Sequence, residues 1–220
     1  MKANKLGGFD IVAPIYDVLA NLVFGKSIRN AQLHYLSEIR EGGRVLILGG
    51  GTGWLLTELL RINPDCQVWY IEASAKMLEK SYKKIANLPR ANVHFIHGTE
   101  ELLPLHVGYD AVIANFYFDL FSSSSLEKPM KKIGKSVLPS GKLLVSDFTE
   151  NDSWWQSAML SAMYLFFRWV SGIEATQLPD WQHQLRNLNF DCKKSKCFFG
   201  NFIKSSVYEI FRRDTEYGAG

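Results

Sequence analysis

The sequence predicts an α/β fold: a mostly parallel sheet that ends in a C-terminal antiparallel hairpin, with helices on both faces. Three observations predict it. From Arg44 onward, short apolar runs alternate with longer helix-period segments, the pattern of βα units around a parallel sheet. The first run, 45–48, passes directly into a glycine cluster and then a helix. Two late strands are joined through Gly200-Asn201, a connection too short for a parallel crossover, so they pair antiparallel.

The elements follow in order. Residues 45–48 form a buried strand, and 54–62 a helix closed by Asn63-Pro64-Asp65. A second strand covers 67–71 and a second helix 75–86, with Ser74 as its N-cap. The third and fourth strands cover 93–96 and 109–114. Ser122 to Ser125 start the next helix, 126–137, which Pro139-Ser140-Gly141 stops before a fifth strand at 142–146. After residue 150 the rhythm changes to one long helix, 153–171, a loop through Pro179 and a short helix, 181–187. The hairpin strands are 190–198 and 203–211. Residues 1–42 precede the first strand and form helices, the second ended by Gly42-Gly43.

Length and composition set bounds. At 220 residues the chain holds one sizeable α/β core and no second comfortable domain. It is 47% apolar and 21% charged, which excludes disorder, and its net charge is only +3. Basic residues are interspersed with acids, so no nucleic-acid partner is expected; the densest spot, Lys193, Lys194 and Lys196, reads as a solvated edge strand. Cys66, Cys192 and Cys197 lack ligand spacing, and His34, His94, His97 and His106 are scattered, so no metal is expected. Asp10 and Asp17 interrupt the N-terminal apolar run, which is not a signal peptide. The stretch 154–170 carries Arg168 and is short for a membrane span. A soluble cytoplasmic protein, monomer or homodimer, is the expectation.

The central signal is Gly49-Gly50-Gly51-Thr52-Gly53. Glycine admits backbone angles closed to other residues and lets main chain approach a ligand. Free N–H groups at the following helix start favour carboxylates or phosphates. A dinucleotide fingerprint, G-x-G-x-x-G, would place its last glycine where Trp54 stands, and an indole crowds that turn. NAD is disfavoured. The remaining G-x-G-x-G of Gly49, Gly51 and Gly53 suits a smaller end, such as an amino-acid carboxylate. Glu72 ends the second strand, 19 residues after Gly53, where a carboxylate can accept both hydrogens of a ribose diol.

These residues carry a family resemblance. The stretch 45–53 resembles motif I of class I S-adenosylmethionine-dependent methyltransferases. Tyr70-Ile71-Glu72-Ala73-Ser74-Ala75-Lys76-Met77-Leu78 is similar to their ribose motif, and Gly98-Thr99-Glu100-Glu101-Leu102 to their adenine-edge segment. Tyr109 to Asn115 resembles the fourth-strand motif, and Leu138 to Val145 the turn into strand five. Phe9-Asp10-Ile11-Val12-Ala13-Pro14-Ile15-Tyr16-Asp17 is similar to the opening of the quinone-biosynthesis (UbiE-like, type 11-12) branch. The resemblance covers nearly the whole chain and implies a seven-stranded Rossmann-like fold with S-adenosylmethionine as cofactor. By that resemblance the cofactor site comprises Tyr16, Gly49, Gly51, Thr52, Gly53, Glu72, Ala73, Met77, Thr99, Glu100, Asn115 and Phe116, with Tyr16 either covering the cofactor or packing only. Two positions depart from the family: Ile47 and Thr99 stand where it has Asp. The implied organisation of 1–220 is a helical cap (1–42), a cofactor-binding core (43–150), a helical insertion on the substrate side (151–189) and the hairpin (190–213).

Methyl transfer from a sulfonium is an in-line displacement, and alignment alone is worth ~7–11 kcal/mol in favourable cases. A base is needed only for an acceptor that arrives protonated. Candidates beside the acceptor are Tyr117, after strand four, Asp147, which either orients an acceptor or caps a loop, and His183, which is either a base or structural. In the helix from Trp154, Ser157, Ser161, Tyr164 and Arg168 form one polar stripe. Most of the remaining apolar side chains read as a helix covering the sheet, and part of the helix, rich in aromatics and methionines, is expected to line a pocket for a small apolar or aromatic acceptor, such as a quinone precursor, polyketide or lipid.

Two other readings share the fold. An aminopropyltransferase would match Ile47 and the glycines, yet it needs an acid at Thr52 and an acid pair after strand four, where this chain has Asn115-Phe116-Tyr117-Phe118 and Asp119 alone. A non-catalytic cofactor-binding or assembly protein would tolerate Ile47 and Thr99.

Overall fold

The computed structural model describes residues 23–88, 92–149, 153–171 and 175–211. Seven strands form one sheet in the order β3-β2-β1-β4-β5-β7-β6: β1 (Arg44–Leu48), β2 (Gln67–Glu72), β3 (Asn92–His97), β4 (Tyr109–Ala114), β5 (Val137–Phe148), β6 (Phe190–Phe198) and β7 (Ile203–Ile210). The pairs from β3 to β5 are parallel, and β7 joins both β5 and β6 antiparallel. The order reverses at β1, so β1 and β4 run side by side and their carboxyl ends flank a crevice where open α/β sheets bind ligands.

The helices are α1 (Ser27–Leu33), α2 (Trp54–Ile62), α3 (Ala75–Ile85), α4 (Ser123–Ser136), α5 (Trp154–Ser171) and α6 (Trp181–Asn187). On one sheet face α2 buries Leu55, Leu56, Leu59 and Leu60 against Val45, Ile47 and Val68, while α3 adds Ile85. Ile47 is 1% exposed within this core, which explains why an apolar residue is tolerated there. The other face packs α4 and α6, through Leu126, Met130, Trp181 and Leu185, on Leu46, Val112, Val145 and Tyr208. Ser122 and Ser125 exchange hydrogen bonds as a capping box, so α4 starts within the expected serine run.

Two expectations need correction. β5 begins at Val137, so Pro139-Ser140-Gly141 lies inside the strand, at a shift in its register with β4 between Tyr109 and Ala111. The polar stripe of α5 is broken: Tyr164 is 6% exposed, whereas Trp154, Leu165 and Trp169 are 82%, 70% and 85% exposed. The helix is oriented by the hairpin turn beneath it, where Trp155 meets Phe199 and Phe202 and Gln156 donates to the Gly200 carbonyl. β6 is an edge strand, and Lys193, Lys194 and Lys196 are exposed on it as expected. Among the described residues no helix is long and apolar enough to cross a membrane.

Candidate active site

Gly49, Gly51 and Gly53 have φ of 59°, 66° and 79°, a region that side chains avoid. What excludes a side chain differs along the turn. A Cβ on Gly50 would lie 2.1 Å from Tyr70 Cζ, one on Gly53 2.6 Å from Ser81 Cα, and one on Gly49 2.9 Å from Tyr117 Cδ2. Gly50 and Gly53 are therefore packing glycines. Among the described residues, a Cβ on Gly51 would meet nothing within 4 Å.

Gly51 is held from both sides. Its N–H donates to Glu72 Oε2 at 2.8 Å, and its carbonyl faces the hydroxyls of Tyr70 and Ser81 at 3.0 and 2.9 Å. Glu72 Oε1 accepts from the Ser74 N–H at 2.7 Å. Two backbone donors thus fix the orientation of the Glu72 carboxylate at the end of β2. Ser74 caps α3 by accepting from the Met77 N–H at 3.2 Å, and Met77 is buried. The Ala73 carbonyl lies 3.1 Å from His97 Nε2, and Lys84 Nζ donates to Thr52 Oγ1 at 3.3 Å.

The opposite wall comes from the turns after β3 and β4. Thr99 accepts from the Glu101 N–H and opens a 3-10 turn that directs Glu100 inward, 7% exposed. Thr99 thus serves as a cap. Tyr117 donates its hydroxyl to Glu100 Oε2 at 2.7 Å. Burial first, then the Glu100 charge, hold the Tyr117 phenol well above its usual pKa, so it is a donor and not a base. Asn115 Oδ1 accepts from the Ser146 N–H at 2.9 Å, and the Phe116 N–H donates to the Ser146 carbonyl at 2.7 Å. Phe116, at φ 49°, places its ring 5.0 Å from that of Phe148.

Asp147 is fully buried at the end of β5, its Oδ1 accepting from the Phe148 N–H at 2.8 Å. Asp119 sits in the 3-10 turn Phe118–Leu120, which packs against β5. Burial pushes the Asp119 carboxyl up to about 7. Burial, then the charge of Asp119, raises Asp147 well above the carboxylate range, partly offset by the N–H groups of Phe148, Asp119 and Phe118.

The structure places Gly49, Gly51, Thr52 and Gly53 in the turn after β1, Glu72, Ala73 and Met77 at the β2–α3 junction, Thr99 and Glu100 after β3, and Asn115, Phe116 and Tyr117 after β4, with Asp147 fully buried near the end of β5. Tyr16 lies outside the described residues. His183 is exposed on α6, where its backbone N–H is capped by Asp180 and its Nδ1 lies 3.4 Å from Asn187 Nδ2. Among the described residues no hydrogen bond or ring contact joins it to the crevice. Sequence reasoning missed Tyr70 and Ser81, and it missed Asp119 as a partner of Asp147. The available signal for Asp119 was an acid set within the aromatic run Phe116-Tyr117-Phe118.

Beyond β5, buried Phe24, Phe148, Leu160, Tyr164 and Phe202 form an apolar cluster with Phe116, Trp155, Met159 and Met163 packed against it.

Comparison with known proteins agrees with the fold. Residues 45–141 match the model of a family described as a methyltransferase domain. The chain is 31% identical over 142 residues to the malonyl-[acyl-carrier protein] O-methyltransferase of Priestia megaterium, a match covering 64% of this chain and 49% of the relative. It is 31% identical over 155 residues to the ubiquinone/menaquinone biosynthesis C-methyltransferase UbiE of Stutzerimonas stutzeri, covering 68% of this chain and 60% of the relative. The chain thus spans about half to three-fifths of the length of these curated relatives. The solved DhpI–SAH complex has the same fold at a TM-score of 0.69 and 16% identity, covering 96% of this chain and 97% of that one.

Proposed function

Because the chain belongs to the class I S-adenosylmethionine-dependent methyltransferase family, in its UbiE-like branch, we propose that it transfers a methyl group from S-adenosylmethionine to a small apolar or aromatic acceptor. The observation that carries this reading is the grip on Gly51: N–H on Glu72, carbonyl on Tyr70 and Ser81, and open space where a side chain would stand. That arrangement fits a nucleoside-bearing amino acid. Glu72 would accept from the ribose diol, and the glycine turn with Thr52 would receive the amino-acid end at the start of α2. Glu100 and Thr99 border the adenine side, and Asn115 and Phe116 the sulfur side.

When bound, the cofactor supplies an electrophilic methyl carbon whose departure leaves a neutral thioether. The chain's own contribution is then to position the acceptor and exclude water. The apolar cluster around Phe116, Phe148, Trp155, Met159 and Met163 supports an acceptor that is itself apolar. We read the protein as a cytoplasmic enzyme acting on free small molecules.

Calorimetry with S-adenosylmethionine and S-adenosylhomocysteine tests the cofactor. Both are expected to bind, and no uptake of either would overturn the reading. An acceptor panel tests the substrate class: preferential methylation of glycine or guanidinoacetate over aromatic acceptors would rule out an apolar one.

A further inference from the structure

Four of the residues 49–53 are glycine, and glycine surrenders more conformational freedom on ordering than any other residue. Such a turn needs fastening from outside if it is to stand ready for a ligand. At its centre both backbone groups of Gly51 are met by side chains, the N–H by Glu72 and the carbonyl by the hydroxyls of Tyr70 and Ser81. Tyr70 comes from β2 and Ser81 from α3, and each is 0% exposed. The two hydroxyl oxygens lie 2.9 Å apart, and Ser81 Oγ also lies 2.9 Å from the Met77 carbonyl.

Gly50 and Gly53 admit these two side chains. The Tyr70 ring fills the space a Cβ would take on Gly50, with its hydroxyl oxygen 2.5 Å from that point. Ser81 fills the corresponding space on Gly53, its Cα at 2.6 Å and its Oγ at 2.9 Å. Bare backbone at these positions lets both hydroxyls reach the Gly51 carbonyl. One carbonyl needs only one donor. Here two protons serve the Gly51 carbonyl, the Met77 carbonyl and the contact between the hydroxyls, so either hydroxyl can supply Gly51 when the other is turned away. That redundancy exceeds what satisfying a single buried acceptor requires.

Building on the methyltransferase reading, we infer that Tyr70 and Ser81 are positioning residues for the cofactor: they latch the glycine turn in the form that receives the amino-acid end, and so set the preference for a ligand carrying that end over an adenosine ligand lacking it. A turn left loose in the free chain is competent for only a fraction of the time, and apparent affinity falls by that fraction. The ribose side is fastened separately, because Glu72 also accepts from the Ser74 N–H, a bond the two hydroxyls do not touch. The latch therefore acts on one end of the ligand.

The test uses the full chain with Y70F, S81A and the double variant. Tyr70→Phe keeps the ring that fills the Gly50 space and removes only the hydroxyl. Calorimetry compares S-adenosylhomocysteine with 5′-methylthioadenosine, which shares the adenosine and the sulfur and lacks the amino acid. The native chain is expected to hold S-adenosylhomocysteine more tightly. That affinity should fall ~2–10-fold in each single variant, the worth of one neutral hydrogen bond, and ~10–100-fold in the double variant, where a buried carbonyl is left bare. Affinity for 5′-methylthioadenosine should stay native-like, a split that a general loss of stability would not produce. Hydrogen exchange on the ligand-free double variant should quicken at residues 49–53 and stay native in β1 and β4, whereas global destabilisation would quicken all three.

Native-like S-adenosylhomocysteine affinity in the double variant would overturn the proposal. So would an equal loss for both ligands, equal binding of both by the native chain, or unchanged exchange at 49–53. A native chain that takes up no S-adenosylhomocysteine would instead overturn the methyltransferase reading, while exchange would still report on the latch.

Discussion

The Tyr117 hydroxyl donates to Glu100 Oε2 at 2.7 Å, and this bond ties the turn after β4 to the turn after β3 with both partners buried. Tyr117→Phe keeps the ring over Gly49 and removes only the donor. Its expected effect is a loss of ~1–3 kcal/mol in unfolding free energy, the cost of a buried acceptor left bare, with an unchanged denaturant slope. Urea unfolding measures it. A loss of only a few tenths would mean that water replaces the hydroxyl at Glu100.

Adjacent glycines should respond differently to the same methyl group. Gly50→Ala drives a Cβ into the Tyr70 ring and should destabilise the fold by ~1–3 kcal/mol, as overpacking does. Gly51→Ala meets open space, so its structural cost is the strain of its positive φ, roughly 1 kcal/mol. Its larger effect should be on S-adenosylhomocysteine binding. Thermal unfolding set beside calorimetry separates the two, and equal binding by Gly51→Ala would show that the turn does not face the cofactor.

Glu72→Gln tests the ribose acceptor. The amide oxygen can still take one backbone N–H, but the second oxygen is replaced by a donor facing Gly51 or Ser74. Cofactor affinity should fall ~10–100-fold, consistent with loss of charged hydrogen bonds. Titration calorimetry reads this directly, and native-like affinity would move the ribose elsewhere.

Much of this site was legible in the sequence because its parts are local. The glycine turn, the strand-end acid at Glu72 and the Ser74 cap each sit within a few residues of the element they serve. The hairpin followed from the shortness of the Gly200-Asn201 connection. What escaped depends on strand order. Asp119 and Asp147 are separated by a whole helix and meet only because β4 and β5 are neighbours. The need for glycine at position 50 arises from a ring on β2, and no local pattern reports that contact. Tyr164 was misread because a hydroxyl marks polarity in sequence, while its ring is drawn into the cluster under α5.

The acid pair also predicts a pH dependence. The Asp119 carboxyl titrates at about 7 in the folded chain against an ordinary value of 3.8. Between those values the folded state holds a proton that the unfolded state has released. Stability therefore falls as pH rises through this window, by roughly 1.4 kcal/mol per pH unit for each proton so held. Asp119→Asn should flatten the decline. Denaturation midpoints for both proteins across the window check the sign, and parallel curves would show that the pair carries no extra proton.

β7 is the last strand along the described chain, yet it stands inside the sheet, between β5 and β6. During synthesis, β1 to β5 leave the ribosome first and β5 waits with an open edge. That edge can be closed only when residues 203–210 have cleared the exit tunnel. Asp147 and Ser146, near the end of β5, gain their β7 neighbours at that moment. Pairing along this edge of β5 thereby waits for residues 203–210, and a nascent chain stalled before residue 203 would carry the glycine turn while Ser146 and Asp147 still lack their strand neighbours.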